Sequence, residues 1–418
     1  MSEHYDVLIV GGGHSGAAAA MALRHNGFSG SIAIAGAEPD LPYDRPPLSK
    51  DYLLGEKPFE RMVFRSAEAW VERGVDLLLG RTVVEVDPAA RQVLTADGRA
   101  LTYGKLIWAA GGVPYTLRCA GSGFGGVHSI RSRADVDRLT RELPDVRRVV
   151  VVGGGYIGLE TAAALTKLER DVTLVEAQDR VLNRVAGEKL SRFFEAEHRA
   201  RGVDLRLSTL VDAIEGAEKV TGVRLATGEM VPADMVIVGI GIAAASQPLE
   251  RAGAECGNGV RVDGQCRTSL PDVFAIGDCA EHRNRFAGGE WVRLESVQNA
   301  TDQAAVAAKT ICDLEAEYDA VPWFWSNQYD LKLQTVGLGQ RHDEIVTRGD
   351  PASRSFSLVY LAQERVIALD CVNATRDYVQ GRGLVAVGAA ADRAALADPA
   401  VPLKSLFQAK SGAPRSLE

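Results

Sequence analysis

A strand–glycine-loop–helix pattern occurs twice in this chain, and no other feature narrows its fold so far. The first copy reads Val7-Leu8-Ile9-Val10, then Gly11-Gly12-Gly13-His14-Ser15-Gly16, then an alanine-rich helical stretch over residues 17–25. The second reads Val149-Val150-Val151-Val152, then Gly153-Gly154-Gly155-Tyr156-Ile157-Gly158, then a helical pattern over 159–168. Each is followed by another apolar strand, at 31–35 and at 171–175. Two G-x-G-x-x-G loops whose first glycines lie 142 residues apart, each framed by strand and helix, are the grammar of two dinucleotide-binding βαβ units.

The glycines follow from the job. Gly11 and Gly153 make the tight turn from strand to helix. Gly13 and Gly155, lacking a Cβ, let backbone approach a pyrophosphate, and Gly16 and Gly158 let the helix lie close on the strand. The helix start then offers free N–H groups and a partial positive charge to phosphate. Glu176 ends the strand of the second copy, 18 residues after Gly158. A carboxylate there accepts from adenosine ribose hydroxyls and repels a 2′-phosphate, which points to NAD. Arg184 nearby reads as a surface arginine that could also steady the nucleotide.

A third segment, 268–278, is a short strand ending in Gly277-Asp278, where a carboxylate can accept from a ribityl hydroxyl of FAD. Residues 105–112 form a strand ending in small residues where the chain leaves the first domain, and 235–241 ends the second in the same way. The expected architecture is α/β. An FAD-binding domain is split between 1–115 and 245–320, an NAD-binding domain occupies 116–244, and an α+β C-terminal domain covers 321–418. That last stretch opens with aromatics, Trp323-Phe324-Trp325, and continues in alternating runs at 331–336, 355–361 and 365–370. At ~150 residues per domain, a 418-residue chain leaves room for three.

Composition removes several function classes. A net charge of −8 argues against a general nucleic-acid binder. The N-terminus carries no basic leader before its first strand, and the most apolar stretch, 235–245, is interrupted by glycine and far short of the ~20 residues of a spanning helix. The expectation is a cytoplasmic protein with no membrane part. Six cysteines (119, 256, 266, 279, 312 and 371) form no C-x-x-C pair, and seven histidines show no ligand spacing, so no metal site or dithiol is expected.

Taken with the loops, the segments Pro42-Tyr43-Asp44-Arg45-Pro46-Pro47-Leu48-Ser49-Lys50, Gly153–Glu160 and Trp323-Phe324-Trp325-Ser326 closely resemble the ferredoxin reductases of oxygenase systems. The resemblance spans essentially the whole chain. It implies the glutathione-reductase type of fold, with two Rossmann-like domains and a C-terminal domain. It places Lys50 beside flavin N5, paired with Glu160, as the catalytic residues. It adds Ser15, Val83, Arg131, Asp278 and Val297 to the FAD contacts, with Trp325 capping the flavin region, and Ile157 and Gly241 to the NAD contacts. The acid usual after Gly36 is here Ala37, which leaves Glu38, water or backbone for the adenosine ribose of FAD.

The chemistry so implied is hydride transfer from NADH to FAD, followed by single electrons to a small acidic 2Fe-2S ferredoxin that serves a monooxygenase or Rieske dioxygenase. Disulfide-reductase cousins need a C-x-x-C beside the flavin, and peroxidase-type cousins need one cysteine within 42–50; both are missing. A rubredoxin reductase, or an apoptosis-inducing-factor-like NADH-binding flavoprotein, stands as the alternative. From Val321 onward 11 Lys/Arg face 10 Asp/Glu. This C-terminal stretch therefore lacks the acidic excess of the rest, and Arg65, Lys332 and Lys404 are candidates for ferredoxin docking.

Overall fold

The computed structural model describes residues 3–408. The chain divides into two compact units. One comprises the residues up to Pro47, Gly55–Val113 and Ile242–Ala320; the other comprises Leu48–Leu54, Pro114–Gly241 and the chain from Val321 onward.

The first unit is built on a seven-stranded sheet. Its parallel part runs Val75–Leu79, Ile32–Gly36, Glu3–Val10, Ala100–Trp108 and Val273–Ala275. The antiparallel strands Gln92–Thr95 and Val83–Asp87 continue the sheet beyond Ala100–Trp108. Strands buried on both faces read as continuous apolar runs, and Val7, Leu8 and Ile9 are fully buried. One face carries the helices His14–His25 and Val297–Ile311, whose small residues Ala17, Ala20, Ala304, Ala307 and Ala308 share one apolar cluster with the sheet. Alanine at these positions lets the two helices and the sheet approach closely.

The second unit repeats the arrangement. Its parallel sheet runs Asp204–Arg206, Asp171–Val175, Arg148–Val152, Met235–Val238 and Val127–His128. A three-stranded antiparallel sheet, Val211–Gly216, Val220–Leu225 and Met230–Pro232, shares its apolar core. The same unit holds a five-stranded antiparallel sheet in the order Trp323–Gln328, Leu331–Gly337, Arg365–Val372, Ser355–Ala362, Glu344–Asp350. So the stretches read from sequence as the NAD-binding and C-terminal domains share one compact body, and Leu48–Leu54 belongs to it as well.

The alternating pattern expected at 355–361 is instead almost continuous burial. Both faces of that strand are covered. Val359 and Leu369 lie toward the helix Thr375–Val387, where Leu369 crowds Gly381. On the other face Phe356 meets Phe193 of the helix Glu188–Ala200, and Tyr360 receives the Gly187 N–H.

Candidate functional site

Gly11 turns at φ +114°, and a Cβ there would lie 2.2 Å from the Ala109 carbonyl oxygen. A Cβ on Gly16 would lie 1.9 Å from the Gly11 oxygen, so the helix rests on the loop itself. Gly13 is the N-cap of the helix, extended, with no side-chain cap and no acid in the first turn. The N–H groups that every helix start leaves unpaired are thus left for an anion. This cradle fits a pyrophosphate. Ser15 is buried behind it, close to Gly277, whose backbone N–H is held by Gln303 at 2.7 Å. Asp278 follows at a half-buried position, its carbonyl accepting from Arg293 at 2.9 Å. Val297 begins the helix that Ser296 caps, and Val83 is buried in the core.

Arg45 lies in a segment quoted from the sequence but was not itself singled out there. Its guanidinium nitrogens stand nearest to where a Gly13 side chain would begin, at 3.7 and 3.9 Å. It pairs with Glu38 at 2.5 Å, and the Tyr43 hydroxyl donates to the same carboxylate at 2.6 Å. Burial pushes the Arg45 pKa down, but Tyr43, Glu38 and Asp278 together raise it above its ordinary value. A fixed cation beside a phosphate cradle is the chemistry an arginine supplies best. The signal was its place in the proline-braced segment 42–50.

The second loop copies the first. Gly153 turns at φ +109°, a Cβ on Gly158 would lie 2.0 Å from the Gly153 oxygen, and Gly155 caps the helix Tyr156–Lys167 without a side-chain bond. Among the described residues, nothing stands within 4 Å of a Cβ placed on Gly155. Glu176 is held in place at both oxygens, accepting from the Gly154 N–H at 2.6 Å and the Gln178 N–H at 2.8 Å. Ile157 is exposed, and Gly241, at φ +104°, lies beside the guanidinium of Arg184. This cradle also fits a dinucleotide's phosphates, and the Glu176 carboxylate is fixed beside its glycine loop.

Lys50 and Glu160 meet within the second unit. Lys50 Nζ stands 2.5 Å from Glu160 Oε2, with the lysine side chain 13 % and the glutamate 2 % exposed. Ser49 Oγ donates to the same oxygen at 2.7 Å, and Ser326 Oγ donates to Oε1 at 2.7 Å. A buried ion pair persists only when its remaining hydrogen-bonding capacity is met, and here two hydroxyls meet it. Ser49 and Ser326 were not singled out from the sequence. Trp325 is half-buried against Trp323 and Phe324, and Phe324 packs on Tyr156 at 4.5 Å. Arg131 is half-buried ahead of the helix Arg133–Glu142 in this same unit.

The six thiols are all free. Burial pushes the Cys279 thiol, next to Asp278, up to about 11 and that of Cys371 up to about 12. Burial raises Cys119, Cys256, Cys266 and Cys312 too. Burial thus disfavours the thiolate at all six, so none is set up as a nucleophile. Lys332 and Lys404 are exposed, and Arg65 is half-buried. No helix among the described residues is long and apolar enough to cross a membrane.

Known proteins carry the same pattern. The pyridine nucleotide-disulphide oxidoreductase family matches residues 5–304, and the reductase C-terminal family matches 323–407. The 5,5'-dehydrodivanillate O-demethylase ferredoxin reductase subunit of Sphingobium sp. strain SYK-6 is 59% identical, over 97% of this chain and 99% of its own length. Putidaredoxin reductase of Pseudomonas putida is 38% identical, over 98% of each chain. The crystal structure of the covalent putidaredoxin reductase–putidaredoxin complex superposes with a TM-score of 0.94 at 37% identity, covering 98% of this chain and 99% of that one. The chain belongs to the pyridine nucleotide-disulphide oxidoreductases, enzymes that bind FAD and NAD(P)H, and within them to the ferredoxin reductases of oxygenase systems.

Proposed function

We propose that this enzyme takes electrons from NADH through FAD and passes them singly to a 2Fe-2S ferredoxin that supplies an oxygenase. The observation that carries the reading is the pair of matching phosphate cradles in one chain, the second with Glu176 bonded to its glycine loop. Acceptance of a hydride and release of single electrons is the chemistry FAD supplies when bound.

The chain's own residues do the rest. In the first cradle Gly13 leaves room for a phosphate, the bare helix start offers N–H donors, and Arg45 adds a fixed positive charge. In the second, Glu176 offers acceptors to ribose hydroxyls and would face a 2′-phosphate with like charge, so NADH is preferred over NADPH. Gly241 and Arg184 border the nucleotide. Lys50, held by Glu160, would place its ammonium group near the flavin ring, where a cation would favour the electron-rich reduced form. The six cysteines form no C-x-x-C pair, which supports direct electron delivery over a dithiol relay.

The partner is an acidic ferredoxin bound transiently, through basic side chains for which Arg65, Lys332 and Lys404 are the candidates, in the cytoplasm. Steady-state reduction of a 2Fe-2S ferredoxin by the FAD-loaded enzyme tests this. NADH-driven ferredoxin reduction should weaken as salt rises, because screening over about 8–10 Å removes long-range attraction. NADH–ferricyanide activity, which needs no docking, should hold. Ferredoxin reduction indifferent to salt and to charge reversal at all three positions would reject the docking model.

A further inference from the structure

Glu160 is gripped from two directions. Its Oε2 faces Lys50 and Ser49, while its Oε1 is bonded by Ser326 on the strand Trp323–Gln328. Behind Ser326 a chain of buried polar groups continues. Gln328 Nε2 lies 3.2 Å from Ser326 Oγ, His198 Nε2 lies 2.9 Å from Gln328 Oε1, and the Tyr329 hydroxyl lies 3.0 Å from His198 Nδ1. Ser326 and His198 are 0 % exposed and Gln328 is 1 %.

Proton counting gives the chain one direction. Ser326 has a single hydroxyl proton, and it donates that proton in the hydrogen bond to Oε1 of Glu160. Gln328 must then present its NH₂ to Ser326 and its oxygen to His198. His198 must carry its proton on Nε2 and accept at Nδ1 from Tyr329. A charged imidazolium could not accept there, and burial holds the His198 pKa down at about 4, so the ring stays neutral. An amide in the middle makes a poor proton conductor. The chain fixes orientation.

We propose that Ser326, held by Gln328 and His198, is a positioning residue for hydride transfer: it pins one oxygen of Glu160 so that the other keeps Lys50 in place. This rests on the reading that Lys50 and Glu160 serve the reacting ring. A hydroxyl hydrogen bond to a buried carboxylate is strong enough that its loss alters rates about tenfold. A side chain that merely filled space would be replaced by alanine with little change in the position of Lys50.

The experiment compares Ser326→Ala, Ser326→Thr, Gln328→Leu and Lys50→Met in the full-length, FAD-loaded enzyme by stopped-flow reduction with NADH. Ser326→Ala should slow reduction about tenfold while changing the apparent NADH dissociation constant less than about twofold. Ser326→Thr should restore the rate, and Gln328→Leu should slow it about threefold. A second readout needs no turnover: acetylation of Lys50 by an amine-reactive ester, followed by peptide mass spectrometry, should be faster in Ser326→Ala than in Ser326→Thr. Wild-type rates and wild-type Lys50 acetylation in Ser326→Ala, with Lys50→Met slow, would overturn the positioning role and leave the reading of Lys50 intact. A fast Lys50→Met would reject that reading and this proposal with it. If Ser326→Ala fails to fold or to keep flavin, Gln328→Leu decides, and an unchanged rate there overturns the proposal.

Discussion

Gly11 and Gly153 turn at φ +114° and +109°, and the helices behind them rest on the loop oxygens at nearly the same distance. The two cradles then part company over their acids. In each, the first glycine donates its N–H to the second strand, at Ala35 in one and Val175 in the other. By that register the counterpart of Glu176 is Gly36. There is no carboxylate at the first strand end, and Gly36 packs against the Gly12 backbone instead. The acid comes two residues later, as Glu38, and is held by Arg45 and Tyr43 rather than by loop N–H groups. The position after the third glycine differs as well. His14 is bonded to Asp44, whereas Tyr156 packs on Phe324. A shared backbone solution to phosphate binding leaves the side chains free to set which dinucleotide is held, and how firmly.

Two substitutions at matched positions give the largest expected effects. Gly13→Leu should leave protein without flavin, because the side chain grows into the phosphate space beside Arg45. Gly155→Leu meets open space at its Cβ and an extended backbone that any residue adopts, so it should fold and stay yellow. Its KM for NADH should nevertheless rise more than about tenfold, since a close backbone–phosphate contact is lost. Flavin absorbance and NADH kinetics on both variants check this. A yellow Gly13→Leu protein, or a normal KM in Gly155→Leu, would break the assignment of the first cradle to FAD and the second to NAD.

The acids come next. Glu176→Ala should lower kcat/KM for NADH about tenfold, a loss of ~1–3 kcal/mol, while relieving repulsion of NADPH. The ratio of the two kcat/KM values should therefore narrow, and a variant that keeps its full discrimination would hand the choice to another residue. Glu38→Gln should matter less. The pair with Arg45 is partly exposed, with side chains 23 % and 28 % accessible, and such pairs contribute at most ~1 kcal/mol. Flavin affinity, read by fluorescence titration, should weaken by no more than about fivefold.

What the sequence made legible was local. A glycine loop between a strand and a helix is dictated by backbone geometry within a few residues, and Glu176 stands at a fixed offset from it. Glu38 was legible as an acid near a strand end, but its capture by Arg45 and Tyr43 was not, because the folded turn sets those contacts. The Lys50–Glu160 pair spans 110 residues and was reached only through resemblance. The chain from Ser326 to His198 spans up to 130 residues and left no periodic trace, since each member takes its role from a neighbour that only tertiary packing supplies. The strand at 355–361 misled for a related reason: alternation predicts one buried face, whereas helices from distant parts of the chain bury both.

The smallest effect concerns pH, and it separates the residues around His14 from those around Tyr156. Burial pushes the Asp44 pKa up, but its bond to His14 and the charges of His14 and Lys57 hold it below the usual carboxylate range. Its contribution to stability is therefore present above about pH 4 and is lost only as pH falls through that lowered value. Asp370, whose charge acts on Tyr156, behaves oppositely. Burial pushes its carboxyl from 3.8 up to about 7, against a hydrogen bond at 2.5 Å from the Tyr360 hydroxyl. The folded chain thus keeps a proton that the unfolded chain has lost, so this contribution is full below about pH 4 and disappears progressively up to about pH 7. Asp370→Asn supplies an uncharged side chain that retains an oxygen for Tyr360. The variant's melting temperature relative to wild type should rise between pH 4.5 and pH 8, by about 2–4 °C. Asp44→Asn should show no such slope over that range, because its titration lies lower. Parallel wild-type and Asp370→Asn melting curves across those pH values would mean that Asp370 is ionised throughout, and the contrast between the two sites would vanish.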